Sequence, residues 1–313
     1  MSAGSRFAGY QLQSLIGKGG MAEVYRATAL TGPRAGQQVA VKQLKAELAR
    51  DPEYVELFRQ EAQVTRRLHH PAVIEVFDAG VEDGRPYLVM ELVDGQNLRQ
   101  ILTQCAKRAI LLPIDFGAYL GHQLALALDH AHSGADREGR PLGLVHCDVS
   151  PSNVFISRLG DVKLGDFGVA MTPGASKGAR QGAFGKIHYL APEQLRGEPL
   201  TPRTDIFALG AVLFELLTNQ RAFPGTSVDE VGQRILAGQL RAPSDLRPEV
   251  GFEFDAITLH GLAPDPADRW ESAAAFATAI EARYDPAVGT PLAIAAVVRG
   301  LFGVTSSTVS RQA

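Results

Sequence analysis

Two short segments of the sequence place carboxylates and an amide where they could bind a cation and accept a proton. The first, residues 145–156, reads VHCDVSPSNVFI and contains Asp148 and, five residues later, Asn153. The second, residues 164–170, reads LGDFGVA and places Asp166 between apolar, strand-like residues and a glycine. A carboxylate can take the proton of a nearby hydroxyl group, and carboxylate and amide oxygens suit Mg²⁺. Taken alone, Asp166 could instead be an ordinary turn residue.

Lys42 and Glu61 are charged residues on otherwise apolar faces. Lys42 ends the strand-like run VAVK. Glu61 lies on the predicted apolar face of a helical segment, four residues after Leu57 and three before Val64. That helix begins with Asp51 as N-cap and Pro52 as its first residue. Because a buried charge without a partner is costly, we expect the two to form an ion pair. Lys42 would then keep donors for an anionic ligand. A purely structural salt bridge is the alternative.

A glycine-rich turn lies at residues 17–25, GKGGMAEVY, between two strand-like runs. A turn with so few side chains lets backbone N–H groups approach a polyphosphate closely. An ordinary glycine hairpin is the alternative for this segment.

The elements that must position these residues change in type near residue 93. Before it, strand-like runs alternate with turn residues, with one helix between them. Beyond it, residues 114–132 carry an apolar stripe at helical spacing, and residues 205–219 are apolar almost all round, as in a helix of a domain interior. The sequence therefore predicts a small sheet-rich lobe over residues 1–93 and a larger helical lobe over residues 94–285. Within the larger lobe, residues 135–143, ADREGRPLG, predict a polar surface insertion.

Composition narrows the class of protein. The chain has 313 residues, 45% of them apolar, which is enough for two lobes with a buried core. The net charge of −3 gives no reason to expect a nucleic-acid-binding protein. Only two cysteines, Cys105 and Cys147, argue against a disulfide framework and fit a reducing compartment. With no signal peptide and no transmembrane segment in the sequence, we expect a cytoplasmic location.

The motifs together resemble the signature set of the protein kinases. In chain order they are GKGGMAEVY, VAVK, Glu61, HCDVSPSN, DFG, APE, DIFALG and Arg269. The resemblance covers about residues 9–285, and its details are typical of the eukaryotic-like serine/threonine protein kinases of bacteria. It implies an α+β, bilobal protein-kinase fold, with a small β-rich N-lobe that carries one regulatory helix and a larger, mainly helical C-lobe. It also implies transfer of the ATP γ-phosphoryl group to serine and threonine hydroxyls of protein substrates, in bacterial signalling and with autophosphorylation.

The resemblance assigns roles to individual residues. Asn153 and Asp166 would bind Mg²⁺, with Mn²⁺ as an alternative. Asp148 would orient the substrate hydroxyl and accept its proton, while Lys42, positioned by Glu61, would hold the α- and β-phosphates. The residues expected around ATP are Gly17, Lys18, Gly19, Gly20, Val24, Ala40, Lys42, Glu61, Met90, Glu91, Val93, Phe155 and Asp166.

Three further contacts are expected in the larger lobe. Glu193 and Arg269, each beside apolar residues, would form a structural ion pair. By resemblance, the side chains of His146 and Phe167 would stack. Asp205 would anchor the backbone of the catalytic loop, which is the segment 145–156.

Cys147 departs from the family's pattern. It stands where an arginine usually reads a phosphate on the activation loop, and a thiol cannot do so. We therefore expect that activation does not require residue 147 to bind a phosphate on the activation loop. That loop offers Thr172 and Ser176 as phosphate acceptors.

Ser150 and Lys186 form a second departure. The family usually has a lysine at the first position and a threonine at the second, so the two chemical functions are exchanged here. We hypothesise that the Lys186 ammonium stabilises charge on the transferring phosphoryl group, with the Ser150 hydroxyl as its partner. Lys186 and Ser150 are therefore counted with Asp148, Lys42 and Asn153 as catalytic residues.

Two other functions stay open at this point. A nucleotide-binding pseudokinase or scaffold would explain the altered catalytic loop. A small-molecule kinase of the same fold is disfavoured by the APE segment, which such enzymes generally lack. Residues 286–313 lie outside the resemblance and contain PLAIAAVVRGLFGV, which predicts a short apolar helix. That helix would either dock on the helical lobe or bind a partner, self-association included.

Overall fold

The chain is described here by a computed structural model over residues 4–167 and 185–303. It forms a small lobe built on an antiparallel sheet and a larger helical lobe, so the predicted bilobal α+β fold is confirmed. Thr172 and Ser176 lie outside the described residues, as does the glycine of the DFG motif. Over the ranges described, no helix is both long enough and apolar enough to cross a membrane.

The small lobe carries a six-stranded sheet with the strand order β1-β2-β3-β4-β6-β5. Val39 and Val41 of the fourth strand point to one face, where they pack against Leu12 and Ala27. Because strand side chains alternate, Lys42 points to the opposite face. The strands are β1 (Arg6–Phe7), β2 (Tyr10–Lys18), β3 (Ala22–Ala29), β4 (Gln38–Leu44), β5 (Val76–Glu82) and β6 (Arg85–Glu91).

One helix, α1 (Pro52–Thr65), packs on the small sheet. Asp51 caps it as predicted, accepting a hydrogen bond from the Glu53 N–H at 3.0 Å. Glu61 is buried on the face that packs on the sheet, together with Phe58. Leu57, which we expected on this face, is exposed, because it lies about 100° around the helix axis from Phe58.

The larger lobe surrounds the helix α5 (Pro202–Thr218), which is buried over almost its whole length. All its residues from Thr204 to Thr218 are buried, as the apolar sequence predicts. A three-stranded sheet carries the catalytic loop; its strands are β7 (Gly95–Asn97), β8 (Val154–Ser157) and β9 (Val162–Leu164). The helices are α2 (Leu98–Arg108), α3 (Ile114–Ser133), α4 (Pro192–Arg196), α5 (Pro202–Thr218), α6 (Val228–Leu236), α7 (Gly251–Gly261), α8 (Ala273–Glu281) and α9 (Pro291–Phe302).

The C-terminal helix α9 docks on the helical lobe. Ile294, Val298 and Leu301 are buried in that lobe's core, and the Arg108 guanidinium donates a hydrogen bond to the Gly300 carbonyl at 3.2 Å. Its apolar stripe is thus covered within the chain. Self-association through this helix stays a prediction.

Candidate active site

Lys42 lies at the centre of a cluster of charges facing the cleft between the lobes. Its Nζ lies 2.5 Å from Glu61 Oε1 and 2.7 Å from Asp166 Oδ1, so the expected pair with Glu61 is present and Asp166 joins it. Burial alone would lower the pKa of Lys42, but the charges of Asp166 and Glu61 outweigh burial and raise it. The ammonium therefore stays charged at neutral pH and can attract phosphate oxygens.

Asp166 reaches Lys42 from the larger lobe because of an unusual backbone. Its φ is +59°, in the left-handed region, which turns the side chain away from the strand direction of β9. The preceding Gly165 lies so close to Ile74 that a Cβ atom there would lie 2.7 Å from the Ile74 side chain. Lys42 is the main cause that lowers the pKa of Asp166, and Lys186 lowers it further. The carboxylate is therefore ionised and ready to hold a cation.

The catalytic loop is held by Asp205 of the buried helix α5. The carboxylate accepts hydrogen bonds from the backbone N–H of His146 at 2.7 Å and of Cys147 at 2.8 Å, and contacts His132 Nε2 at 2.8 Å. Cys147 has a φ of +63°, a conformation that costs a non-glycine residue about 1–3 kcal/mol. These bonds compensate for that strain. The expected stacking is also present, since the rings of His146 and Phe167 lie 4.4 Å apart.

Asp148 is bound on one of its two carboxylate oxygens. Asn153 Nδ2 donates to Asp148 Oδ2 and to the Asp148 carbonyl, both at 2.9 Å. Lys186 Nζ forms an ion pair with the same Oδ2. The other oxygen, Oδ1, has no hydrogen bond within the described part of the chain, and it is the atom available to a substrate hydroxyl.

Ser150 does not partner Lys186, so this part of the hypothesis is wrong. The Ser150 hydroxyl is buried and has no hydrogen-bond partner within residues 4–167 and 185–303. The Ser150 carbonyl instead accepts from the Asn153 N–H at 2.9 Å, which shapes the turn after Asp148. Lys186 is long enough to reach the Asp148 carboxylate directly and needs no bridging hydroxyl.

The remaining residues expected around ATP are contributed by both lobes. Gly17 and Lys18 end β2, and Gly19 and Gly20 begin the turn to β3, where the Gly19 N–H donates to the Ala22 carbonyl at 2.9 Å. Lys18 is largely exposed and contacts Glu23 at 4.0 Å. The other positions lie on strands or in the connector between the lobes, residues 92–94: Val24 on β3, Ala40 on β4, Met90 and Glu91 on β6, Val93 in the connector and Phe155 on β8.

Hydrogen bonds in the connector limit which backbone groups an adenine ring could use. The Glu91 N–H donates to the Glu75 carbonyl at 2.9 Å, so it is already engaged. Val93 lies beyond the end of β6, where no backbone bond of the described residues involves it. The Glu91 side chain pairs with Lys163 Nζ at 2.8 Å, tying the connector to β9.

The donor set fits a magnesium ion. Asn153 has committed its Nδ2 to Asp148, which leaves Oδ1 for a cation, and Asp166 presents a carboxylate that is 45% exposed. In the described part of the chain, no group of three or more histidines, cysteines or carboxylates could hold a metal by itself. Mg²⁺ usually takes only one or two protein ligands and fills its shell with water and substrate phosphates.

Three structural contacts of the site lie between residues distant in sequence. The predicted pair of Glu193 and Arg269 is bidentate, with N–O distances of 2.7 and 2.8 Å, and both side chains are buried. Gln194 Nε2 donates to the Cys147 carbonyl at 2.9 Å, which links α4 to the catalytic loop. The third contact joins His132 to Asp205. The sequence pointed only to the first, because Gln194 and His132 sit in patterns typical of ordinary helices.

A further buried network was not predicted. The Arg99 guanidinium lies 2.8 Å from Glu215 Oε1, and the Tyr189 hydroxyl contacts both side chains. Burial and the Glu215 charge raise the pKa of Tyr189, so the phenol stays protonated. The available signal was Glu215 itself, a carboxylate in an otherwise apolar stretch of α5. The network fixes the chain segment between Lys186 and Glu193 against α2 and α5.

Comparison with known proteins places this chain among protein kinase domains. The family described as "Protein kinase domain" matches residues 10–278. Over 94% of its length the chain is 40% identical to the probable serine/threonine-protein kinase SCO3848 of Streptomyces coelicolor. Over 87% of its length it is 36% identical to the tyrosine-protein kinase MasK of Myxococcus xanthus. The chain spans 43% and 42% of the length of these two relatives.

A solved structure agrees with the fold. The kinase domain of Mycobacterium tuberculosis PknI matches with a TM-score of 0.67 and 29% identity, covering 90% of this chain and 98% of that one.

Proposed function

Because the chain belongs to the protein kinase domain family, we propose that it transfers the γ-phosphoryl group of ATP to serine and threonine hydroxyls of protein substrates. The arrangement at Asp148 is the observation that carries this proposal. One carboxylate oxygen is held by Asn153 and Lys186, and the other is open toward an incoming hydroxyl. A binding module would not need a positioned proton acceptor.

Different residues of the site bind ATP and the substrate hydroxyl. Lys42, held by Glu61, attracts the α- and β-phosphates, and the glycine turn covers them with backbone N–H groups. Asp166 and Asn153 would hold Mg²⁺, which neutralises phosphate charge when bound. Asp148 orients the attacking hydroxyl through Oδ1 and takes its proton as the new P–O bond forms.

Lys186 supplies the positive charge that Ser150 cannot. Its ammonium lies against Asp148, and its charge also lowers the pKa of Asp166. A cation that acts on both acids can stabilise the negative charge that develops on the transferred phosphoryl group. The chain thereby keeps a catalytic lysine at a different sequence position.

The segment after Lys186 supports a protein substrate. Tyr189 is tied to Arg99 and Glu215, and Glu193 to Arg269, so this segment forms a rigid platform beside Asp148. A small-molecule kinase has no use for such a platform.

The preference for serine and threonine rests on the names of most relatives, such as the Streptomyces protein, while the Myxococcus relative is named a tyrosine kinase. Phosphoamino-acid analysis of the labelled product decides between the hydroxyl types. The proposal includes autophosphorylation, a role in signalling and a cytoplasmic location, which the low cysteine content and the use of ATP favour.

Incubation with Mg²⁺ and γ-labelled ATP tests the proposal against the pseudokinase alternative. We expect label to appear on the chain itself and on an added protein substrate, with phosphosites mapped by mass spectrometry to serine or threonine. The Asp148→Asn variant should bind ATP and transfer label slower by a factor of about a hundred or more. Binding of nucleotide without transfer by the unaltered chain would establish the pseudokinase instead.

A further inference from the structure

A cavity of about 310 Å³, lined by residues of both lobes, has a wall made mainly of charged side chains. The small lobe contributes the end of α1, the start of β5 and the hairpin between β3 and β4. The larger lobe contributes the segment 135–143, which the sequence predicted as a polar surface insertion. That prediction is only partly right, because Asp136 and Leu142 of this segment are buried.

Each carboxylate of the cavity already has an arginine partner. Asp136 is bound by Arg140 Nε at 2.8 Å and by Arg67 Nε at 3.2 Å. Glu138 lies 2.9 Å from the same Arg140. Burial alone would raise the pKa of Asp136, but hydrogen bonds from Arg140 and Arg67 outweigh it and lower the pKa to about 2.

The third carboxylate is satisfied in the same way. Glu75 lies 3.3 Å from the Arg137 guanidinium and 3.9 Å from His69 Nδ1. His69 Nδ1 itself is buried without a hydrogen-bond partner in the described part of the chain. One polar atom of the wall thus has no partner of its own.

Two arginines of the wall have no carboxylate to neutralise them. Arg34 lies with its guanidinium 3.7 Å from the centre of the Phe77 ring, and no ion pair joins it or Arg66 to an acid within the described residues. The wall holds five arginines against three carboxylates, which leaves an excess of two positive charges with His69 counted as neutral. A surplus of two charges in a concave, polar cavity matches a phosphate dianion in charge, and guanidinium groups match its oxygens in geometry.

We propose that this cavity is an anion site that binds a phosphate group carried either by a small metabolite or by a phosphorylated side chain. Arg34 and Arg66 are its principal ligands, and His69 and the Arg137 side chain complete it. The site is separate from the ATP cleft, since neither Lys42 nor any residue of the glycine turn lines it. It therefore stands whether or not the chain transfers phosphate at Asp148.

Calorimetric titration tests this proposal with the cleft saturated by Mg²⁺ and a β,γ-imido analogue of ATP, so that added phosphate cannot bind there. Three probes are titrated: inorganic phosphate, glucose 6-phosphate, and a phosphothreonine peptide with its unphosphorylated form as control. We expect saturable binding of the phosphate-bearing probes, and the tighter of the two carriers identifies the source of the phosphate group.

Two variants and a matched control decide whether the binding occurs in this cavity. Arg34→Gln and Arg66→Gln should each weaken binding roughly tenfold, the usual effect of removing one charged hydrogen bond. Arg59→Gln removes the same charge from α1 outside the cavity and should leave affinity unchanged, because Arg59 pairs with Glu56. The proposal is overturned if no probe binds saturably, or if the Arg34 and Arg66 variants bind like the control. The cavity would then be a salt-bridged joint between the lobes and nothing more.

Discussion

Replacing Lys186 by methionine removes the ammonium beside Asp148 and keeps most of the side-chain volume. Lys186 has no contact with Lys42, Glu61 or the glycine turn, and its ion pair is with the proton acceptor. The variant should therefore lose turnover while it keeps its affinity for ATP.

The size of the loss follows from the position of the charge. A unit charge about 4 Å from the transferring group is worth roughly 4 kcal/mol at an effective dielectric constant near 20. The Lys186 side chain is 37% exposed, so solvent screens part of this interaction. About 3 kcal/mol remains, which corresponds to a fall in kcat of roughly a hundredfold.

The assay is steady-state transfer from γ-labelled ATP to a protein substrate, with kcat and the KM for ATP measured separately. We expect the KM to change by less than about threefold, because the lost charge acts on the transition state and not on the binding of ATP. Lys107→Met, on the exposed end of α2, is the matched control and should behave like the unaltered chain. If Lys186→Met keeps its kcat, the lysine is a solvated surface charge and the proposed catalytic role is wrong.

An exchange variant tests the same idea in the opposite direction. Ser150→Lys combined with Lys186→Thr restores the more common arrangement of the family. Because the Ser150 hydroxyl has no partner among the described residues, no hydrogen bond described there is lost by replacing it. We expect this double variant to recover most of the turnover that Lys186→Thr alone loses. A double variant as slow as the single one would mean that the two positions are not interchangeable.

Three predictions concern the supporting contacts. The carboxylate of Asp136, with a pKa lowered to about 2, stabilises the fold above the ordinary aspartate pKa of about 4, and this contribution is lost as pH falls toward 2. Asp136→Asn should therefore lower the urea midpoint at pH 7, by an amount that shrinks below about pH 4; an equal loss at both pH values would contradict this. Arg269→Met leaves the buried Glu193 unpaired and should lower the free energy of unfolding by about 3–5 kcal/mol. The control Arg283→Met breaks an exposed pair with Glu253 and should lower it by less than about 1 kcal/mol. Asp205→Asn places an NH₂ group against a catalytic-loop N–H and should reduce kcat by about tenfold or more; unchanged kcat would show that the loop holds its shape without this carboxylate.

The pairing of Lys42 with Glu61 was predictable because the periodicities of a strand and of a helix are simple. A strand alternates every two residues and a helix turns every 3.6, so a charge on an apolar face stands out in the sequence. The same reasoning failed for Leu57, since one residue of helix rotation moved it out of the core. A sequence pattern predicts which face of a helix or strand is buried more reliably than it predicts the residues at the boundary of that face.

Contacts between distant segments could not be predicted from patterns. Arg67 and Asp136 are 69 residues apart, and both lie in segments that read as polar surface. Arg99 and Glu215 are 116 residues apart, and the bond between their side chains forms only in the folded chain. The wrong prediction for the Ser150 hydroxyl has the same origin. Whether Lys186 needs this hydroxyl as a partner depends on the distance between two chain segments, which the sequence pattern does not give.

The central claim is that Asp148 works as a proton acceptor in a complete phosphoryl-transfer site. A single-turnover measurement tests it most directly, with γ-labelled ATP and Mg²⁺ bound to the unaltered chain and to Asp148→Asn at equal occupancy. We predict that the unaltered chain transfers label to a protein hydroxyl and that the variant, equally loaded with ATP, does so slower by a factor of about a hundred or more. Equal rates in the two proteins, or no transfer by either, would contradict the account.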